Sequence, residues 1–323
     1  MNSRSINKFI KDKNFRKLSV TFKPFIPKHN YYDITPPFDH IINKHVFYTK
    51  NKNFNNAVEV LKTACVLFDC PCRDEASVIF KYIIKNCIFH IETDEDIRSL
   101  IKITLEIYKH TKYHTLANIL FKLYFRIQNL ELAYNFLLIT SNNRIHKKDY
   151  YIYNLYKGLL LFYKGDLEES SKCINLSFKS KKIRKEGFLL FFIINLINNK
   201  YIKTEDEMLL NLKIIVREGL FTHIYNILDE LEGFFVKFNI SLIVRNYLPQ
   251  LCFANLIKRI FYLKNEDYKL NLEYLLEVID LDYEELISMV CCVIESNLVK
   301  GYISVNKNMM VFSRRDPFPL KFF

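Results

Sequence analysis

The chain has 323 residues, 50% of them hydrophobic, with only six Gly and eight Pro and a formal net charge of +12. That is enough apolar material for a sizeable core in one or two domains, and too few helix breakers for a low-complexity chain. FLLFFIINLI at 188–197, among the longest apolar runs, is about half the ~20 residues a membrane span needs, so no membrane insertion is expected.

Residues 1–50 show little helical period and hold Pro24, Pro27, Pro36 and Pro37. Their first 30 positions carry eight Lys or Arg against one acid, Asp12. They read as an irregular basic arm. No apolar core of a secretory signal is visible; the composition also has some likeness to a transit peptide. From about Phe54 the apolar residues recur with the helical period and continue to about Asn297. Ala57, Val60, Leu61, Ala64, Cys65 and Phe68 form one stripe, and the DCPCRD stretch at 69–74 breaks it. Ile97, Leu100, Ile101, Leu105 and Tyr108 form the next, followed by Leu116, Ile119, Leu120, Leu123 and Tyr124.

The stretch 151–182 is more specific. Gly158 and Gly165 lie seven apart, Asp166 and Leu167 follow, and Ser170, Ile174 and Ser177 come next. This approximates a tetratricopeptide (TPR) helix pair: Gly158 lets helices cross closely, Gly165-Asp166 turns the chain, and small residues keep the second helix near. With helices over 131–142 and 186–198 it predicts an α-solenoid across 51–265. Gly219 and Gly233 are expected to flank a further helix pair at 221–245, and Leu248–Phe261 is the next amphipathic helix. Residues 266–323 change character. Asn271–Ile279 reads as a helix, Asp282 with Glu285 has capping-box spacing, and Tyr283–Asn297 is a helix burying Leu286, Val290, Val293, Ile294 and Leu298. Gly301 is expected to end helical structure. Tyr302–Val305 and Met309–Phe312 are β-type runs joined by Asn306-Lys307-Asn308. Helix, turn, helix and hairpin is the layout of a winged helix. The fold class is mainly α, TPR-like repeats leading into a C-terminal winged helix.

Catalytic signatures are lacking: there is no Gly-rich phosphate loop, HExxH or GxSxG, and an enzyme is not expected. Cys65, Cys70, Cys72 and Cys87 with His90 fit no common zinc spacing, and His110 and His114, four apart, read as exposed polar positions. No metal or cofactor is expected. Reduced, mostly buried thiols are the expected state of the eight Cys.

The charge is patchy. Residues 298–323 hold Lys300, Lys307, Arg314, Arg315 and Lys321 against Asp316, and KSKKIRK at 179–185 has five basic residues in seven. Such patches suit phosphates or acidic protein surfaces, or are simply solvated. Lys258, Arg259, Lys300, Lys307, Arg314 and Arg315 are the candidate nucleic-acid contacts. Lys179, Lys181, Lys182, Arg184 and Lys185 form a secondary patch. Leu286, Tyr302 and Phe312 are candidate partner contacts; the two aromatics are alternatively internal packing or base-stacking residues. Helix 283–297 carries Glu284, Glu285 and Glu295 and no cation, which disfavours reading of the major groove and favours backbone contact without base specificity. The acidic run Glu266, Asp267, Glu273, Glu277, Asp280, Asp282, Glu284 and Glu285 either meets a basic partner or faces solvent.

REGLFTHIYNILDELEGFFVKFNI (217–240), NLIKRIFYL (255–263), YKGLLLFYKGDLEES (156–170) and VKGYIS...MVFSRRDPFP (299–319) resemble the PCI-domain family. Within it they look like the PCI subunit of the nuclear messenger-RNA export complex, transcription-and-export complex 2, and its signalosome-associated relative. Asp316-Pro317-Phe318-Pro319 stands where that family has NPFP, and Lys258-Arg259 where it has a Lys pair. The likeness covers about 150–320. It implies a non-enzymatic scaffold bound to a large helical scaffold protein and to a small acidic disordered subunit shared with the proteasome lid. It also implies an RNA- or DNA-binding surface and a nuclear location, at the nuclear pore, with the cytoplasm as the alternative. A PCI scaffold of the signalosome-associated, proteasome-lid or initiation type would bind only protein; a free repeat adaptor would bind peptides in a groove.

Overall fold

The computed structural model describes residues 93–319 apart from 113, 141–146, 182 and 266, with a few isolated positions before residue 93. The expected basic arm, most of the Ala57–Phe68 stripe and the Cys65, Cys70, Cys72, Cys87 and His90 group lie outside the described residues. The chain divides into two compact units, Met1–Tyr153 and Asn154–Phe323. The division falls inside the stretch expected as helical repeats.

In the first unit, α1 (Asp94–Thr111), α2 (His114–Arg126) and α3 (Leu130–Thr140) follow in order. Thr93 starts α1 by accepting the Asp96 N–H, and three acids in the first turn favour the positive end of the helix. Lys112, at φ 51°, stops it. His110 and His114 therefore sit on different helices and share no helical face, and His114 is buried rather than exposed. Ile97, Leu100, Ile101 and Tyr108 are buried, as their spacing predicts. Tyr108 and Phe121 each lie 5.2 Å from Phe136 between ring centroids, which knits the three helices into one core.

The helix α4 (Lys147–Tyr163) runs across the division. The second unit continues with α5 (Leu167–Ser177), α6 (Arg184–Ile197), α7 (Glu207–Glu218), α8 (Phe221–Glu230), α9 (Glu232–Lys237) and α10 (Ser241–Leu263). Gly158 meets α5 so closely that a Cβ there would lie 2.6 Å from Ile174 Cδ1. Ser170 Oγ donates to the Gly158 carbonyl at 2.7 Å across the same crossing. Gly165, at φ 82°, makes the turn, and Asp166 caps α5 by accepting the Glu169 N–H. Gly219 ends α7 at φ 69°; a Cβ on it would lie 2.4 Å from the Leu256 backbone nitrogen of α10. Gly233 is the second residue of α9, just past the α8–α9 boundary, with nothing near its missing Cβ. The helix expected from Leu248 begins seven residues earlier, at Ser241. Pro249 lacks the N–H that would bond the Arg245 carbonyl, yet the helix continues through it, with Val244, Leu248 and Leu251 buried on both sides.

The C-terminal part holds β1 (Lys269–Asn271), α11 (Glu273–Leu276), α12 (Tyr283–Glu295), β2 (Gly301–Ser304), a 3-10 turn at Val305–Lys307 and β3 (Met309–Phe312). The strands are antiparallel in the order β1-β3-β2, with Met310 opposite both Leu270 and Ile303. The expected helix from Asn271 is thus preceded by a strand and shortened to one turn. The capping box is present: the Asp282 carboxylate accepts the Glu285 N–H, and Glu285 accepts the Asp282 N–H. Helical structure ends at Asn297, φ 56°, before Gly301 is reached. Gly301 has a different task. It pairs with Phe312 in the sheet, and a Cβ there would lie 2.3 Å from the Val311 carbonyl oxygen.

Among the described residues no helix is long and apolar enough to cross a membrane. The described cysteines divide by environment. Cys173 and Cys252 are buried, whereas Cys291 is exposed, contrary to the buried state expected of most thiols. Burial pushes the Cys252 thiol up to about 12, and it donates to the Ile215 carbonyl at 3.4 Å. Iodoacetamide at neutral pH should therefore alkylate Cys291 well before Cys252. Peptide mass mapping reads this order, and early modification of native Cys252 would contradict the α7–α10 packing.

Candidate nucleic-acid interface

Ser313–Pro319 returns from β3 towards the end of α10. Its anchor is Phe318, buried with ring centroids 5.3 Å from Phe261 and 5.6 Å from Phe312. The Lys300 N–H donates to the Pro317 carbonyl, and the Ser313 N–H donates to the Lys300 carbonyl, both at 2.8 Å. Asp316, at φ 49°, and the hydrogen bonds between Ser313 Oγ and the Arg315 backbone shape the turn. Four cations meet there. Lys258 Nζ lies 5.9 Å from the Phe318 ring centroid, Lys300 Nζ lies 3.6 Å from Asp316, and Arg314 and Arg315 are exposed. Asp316 is exposed and pairs with Lys300 in solvent, a contact worth little.

The other candidates separate from this group. Lys307 sits on the β2–β3 turn, at the opposite end of a hairpin whose four-residue strands span about 13 Å. Its neighbour Asn308 donates to Glu273 at 3.3 Å, so an acid stands beside it. Arg259 turns towards α7, 3.7 Å from the Glu218 carboxylate, which also stands 3.7 Å from Arg217. Lys179 and Lys181 are exposed on the α5–α6 connection, Arg184 and Lys185 on the first turn of α6; Lys182 lies outside the described residues.

Of the three candidate partner contacts, Leu286 and Phe312 are 0% and 4% exposed and belong to the core. Leu286 is on the inner face of α12, and Phe312 packs 5.1 Å from Phe261. Tyr302, 62% exposed, is the member of the set that presents a surface. The exposed stripe of α12 runs through Glu284, Ser288, Cys291 and Glu295, with no cation on it. Phosphates are repelled from that stripe.

Tyr201, Arg217 and Asn255 escape sequence reasoning. Together with Lys258, Arg259 and Tyr262 they line a groove of about 540 Å³. No local pattern marks it, because three separated stretches build it. Among the described residues no group of His, Cys, Asp or Glu is placed to hold a metal ion.

PCI domain-containing protein 2 of the zebrafish Danio rerio is 27% identical over 227 residues, 63% of this chain and 56% of its own length. The protein of the same name from Xenopus laevis is 26% identical over the same shares, and enhanced ethylene response protein 5 of Arabidopsis thaliana is 23% identical over 62% of this chain and 55% of its own. The chain is distantly similar to these PCI-domain proteins. It spans about half the length of the curated relatives it matches. No protein-family model matches it. The PCI relatives' names specify the domain and no particular assembly.

Proposed function

We propose that the chain is a non-catalytic scaffold subunit of a PCI assembly, and that this assembly is the nuclear messenger-RNA export complex. In this reading residues 266–323 form a winged helix, with α12 in the place of the recognition helix and the β2–β3 connection as the wing. TPR-like helix pairs precede it. The observation that supports it most is the order helix, strand, helix, helix, hairpin with sheet order β1-β3-β2, combined with cations set beside α12 rather than on it. The chain then binds a large helical scaffold protein and a small acidic disordered subunit. It contacts RNA or DNA through phosphates at Lys258, Lys300, Arg314 and Arg315, without base specificity, in the nucleus.

A second reading is a PCI scaffold that binds only protein. Exposed Tyr274, Val278 and Tyr283 interleaved with Glu273, Glu277, Asp282 and Glu284 favour it, since that mixture suits a protein surface. Gentle purification of the full chain from its native cells, with identification of what accompanies it, separates the two. A large scaffold with a small acidic protein, retaining RNA, is the expected result. Signalosome, proteasome-lid or initiation subunits without RNA would overturn the export reading and keep the scaffold.

A further inference from the structure

We propose that the groove between the ends of α7 and α10 takes one unstacked base of a single-stranded nucleic acid together with its flanking phosphates. This deepens the nucleic-acid reading above and rests on it. Tyr201 comes from the α6–α7 connection, Arg217 from the end of α7, and Asn255, Lys258, Arg259 and Tyr262 from the last turns of α10. Its volume of about 540 Å³ is within the range of small-ligand sites.

The two aromatics decide the chemistry. Tyr201 and Tyr262 are 37% and 53% exposed, and both are held in place. The Asn255 amide donates to the Tyr201 hydroxyl at 3.3 Å and to the Val216 carbonyl at 2.8 Å. The Tyr262 ring is backed by Phe261 at 5.5 Å and Phe318 at 6.4 Å between centroids. A fixed ring loses little freedom when a base stacks on it.

The electrostatics are favourable but modest. Arg217, Lys258 and Arg259 face one carboxylate, Glu218, and the carbonyl ends of two helices subtract further from the positive field. Arg259 Nη1 covers one of those carbonyls, that of Glu218, at 3.3 Å. With charge this limited, stacking has to supply much of the binding. That favours a nucleobase over an acidic peptide, whose side chains bring charge without a π-face. A duplex keeps its base faces covered, so the groove selects single strands. Lys258 also lies 5.9 Å from the Phe318 ring centroid, so the groove borders the 313–319 segment that carries Arg314 and Arg315.

The test uses the full chain, fluorescent oligouridylate and oligothymidylate of about ten nucleotides, and a duplex of matched length. The double variant Tyr201→Ala and Tyr262→Ala is expected to bind both single strands about tenfold more weakly while its duplex binding is unchanged. The ratio between the two single strands reads the preference for RNA or DNA. Photocrosslinking of a 5-iodouridine oligonucleotide to the unaltered chain should label Tyr201 or Tyr262, a readout independent of the variant's folding. Equal binding by variant and unaltered chain, or crosslinks only elsewhere, overturns the groove and leaves phosphate binding standing. No binding of any nucleic acid by the unaltered chain removes both readings. Tyrosine-dependent capture of polyglutamate in place of oligonucleotides overturns the base and assigns the groove to acidic peptides.

Discussion

Gly219→Ala should lower stability by about 2–5 kcal/mol, and the melting temperature by on the order of 10 °C. Two independent costs combine. The backbone at φ 69° is left-handed, which costs a residue with a Cβ about 1–2 kcal/mol. The new methyl would also lie 2.4 Å from the nitrogen and 2.6 Å from the Cα of Leu256. Those are backbone atoms in the middle of a buried helix, so no side-chain rotation relieves the contact, and overpacking adds about 1–3 kcal/mol. The helix α10 would have to move off α7, and with it the hydrogen bonds from Cys252 and Asn255 to the Ile215 and Val216 carbonyls. Gly233→Ala is the control. Gly233 lies within α9 with open space around its missing Cβ, so alanine should stabilise by about 0.5–1 kcal/mol. Thermal melts followed by circular dichroism read both. A Gly219→Ala protein as stable as the parent would mean that α7 and α10 do not meet at this point.

Reversing Lys258, Lys300, Arg314 and Arg315 to Glu should weaken binding of single-stranded RNA more than tenfold and reduce its salt dependence. Each phosphate contact on a single strand contributes a slope of roughly −0.7 in log affinity against log salt, so four contacts make the parent lose roughly 50-fold between about 50 and 200 mM salt. The reversed variant, left with Arg217, Arg259 and stacking in the groove, should show a much shallower slope. Lys307→Glu should change affinity by less than about twofold, because the hairpin holds Lys307 at its far end beside Glu273. Arg314 and Arg315 are exposed, Lys258 and Lys300 are partly exposed, and their replacement leaves Phe318 and Phe312 in place, so the fold should survive. An equal loss from Lys307→Glu would show that the nucleic acid follows the β2–β3 hairpin instead. Unchanged binding by the fourfold variant would remove this surface from the function.

Much of the fold was legible because it is local. Gly158 seven residues before Gly165-Asp166 announced a close helix crossing and a capped turn, and the atoms meet there. Asp282 and Glu285 announced a capping box, and Leu286, Val290 and Val293 the buried face behind it. What stayed illegible depends on partners distant in sequence. The three residues of β1 are too few for a strand pattern and are strand only because β3, some forty positions later, pairs with them. Gly301 looked like a helix stop because glycine often is one; its constraint is the Val311 carbonyl across the hairpin. Leu286 and Phe312 looked available to a partner because composition cannot tell an inward apolar residue from an outward one at a domain end. The cations were visible as a run, but their division into a group on 313–319 and an isolated Lys307 is a property of the hairpin. The groove was invisible, since Tyr201, Arg217 and Tyr262 are brought together only by the α7–α10 contact.

The unbroken course of α10 sets one more condition on this molecule. Leu248, Cys252, Leu256 and Ile257 turn inward along it, while Lys258, Arg259, Tyr262 and Leu263 reach the surface wholly or in part, all on one continuous spiral. Removing a single residue between Phe253 and Asn255 would rotate everything after it by about 100° and draw it back by about 1.5 Å. Phe261 would swing away from Phe312 and Phe318, and Lys258 would leave its place over the Phe318 ring. An insertion or deletion inside this helix should therefore disturb this surface more than the exchange of any one cation. The residue count between the Cys252 contact with Ile215 and the Phe261 contact with Phe318 is a tighter requirement than the identity of any one cation.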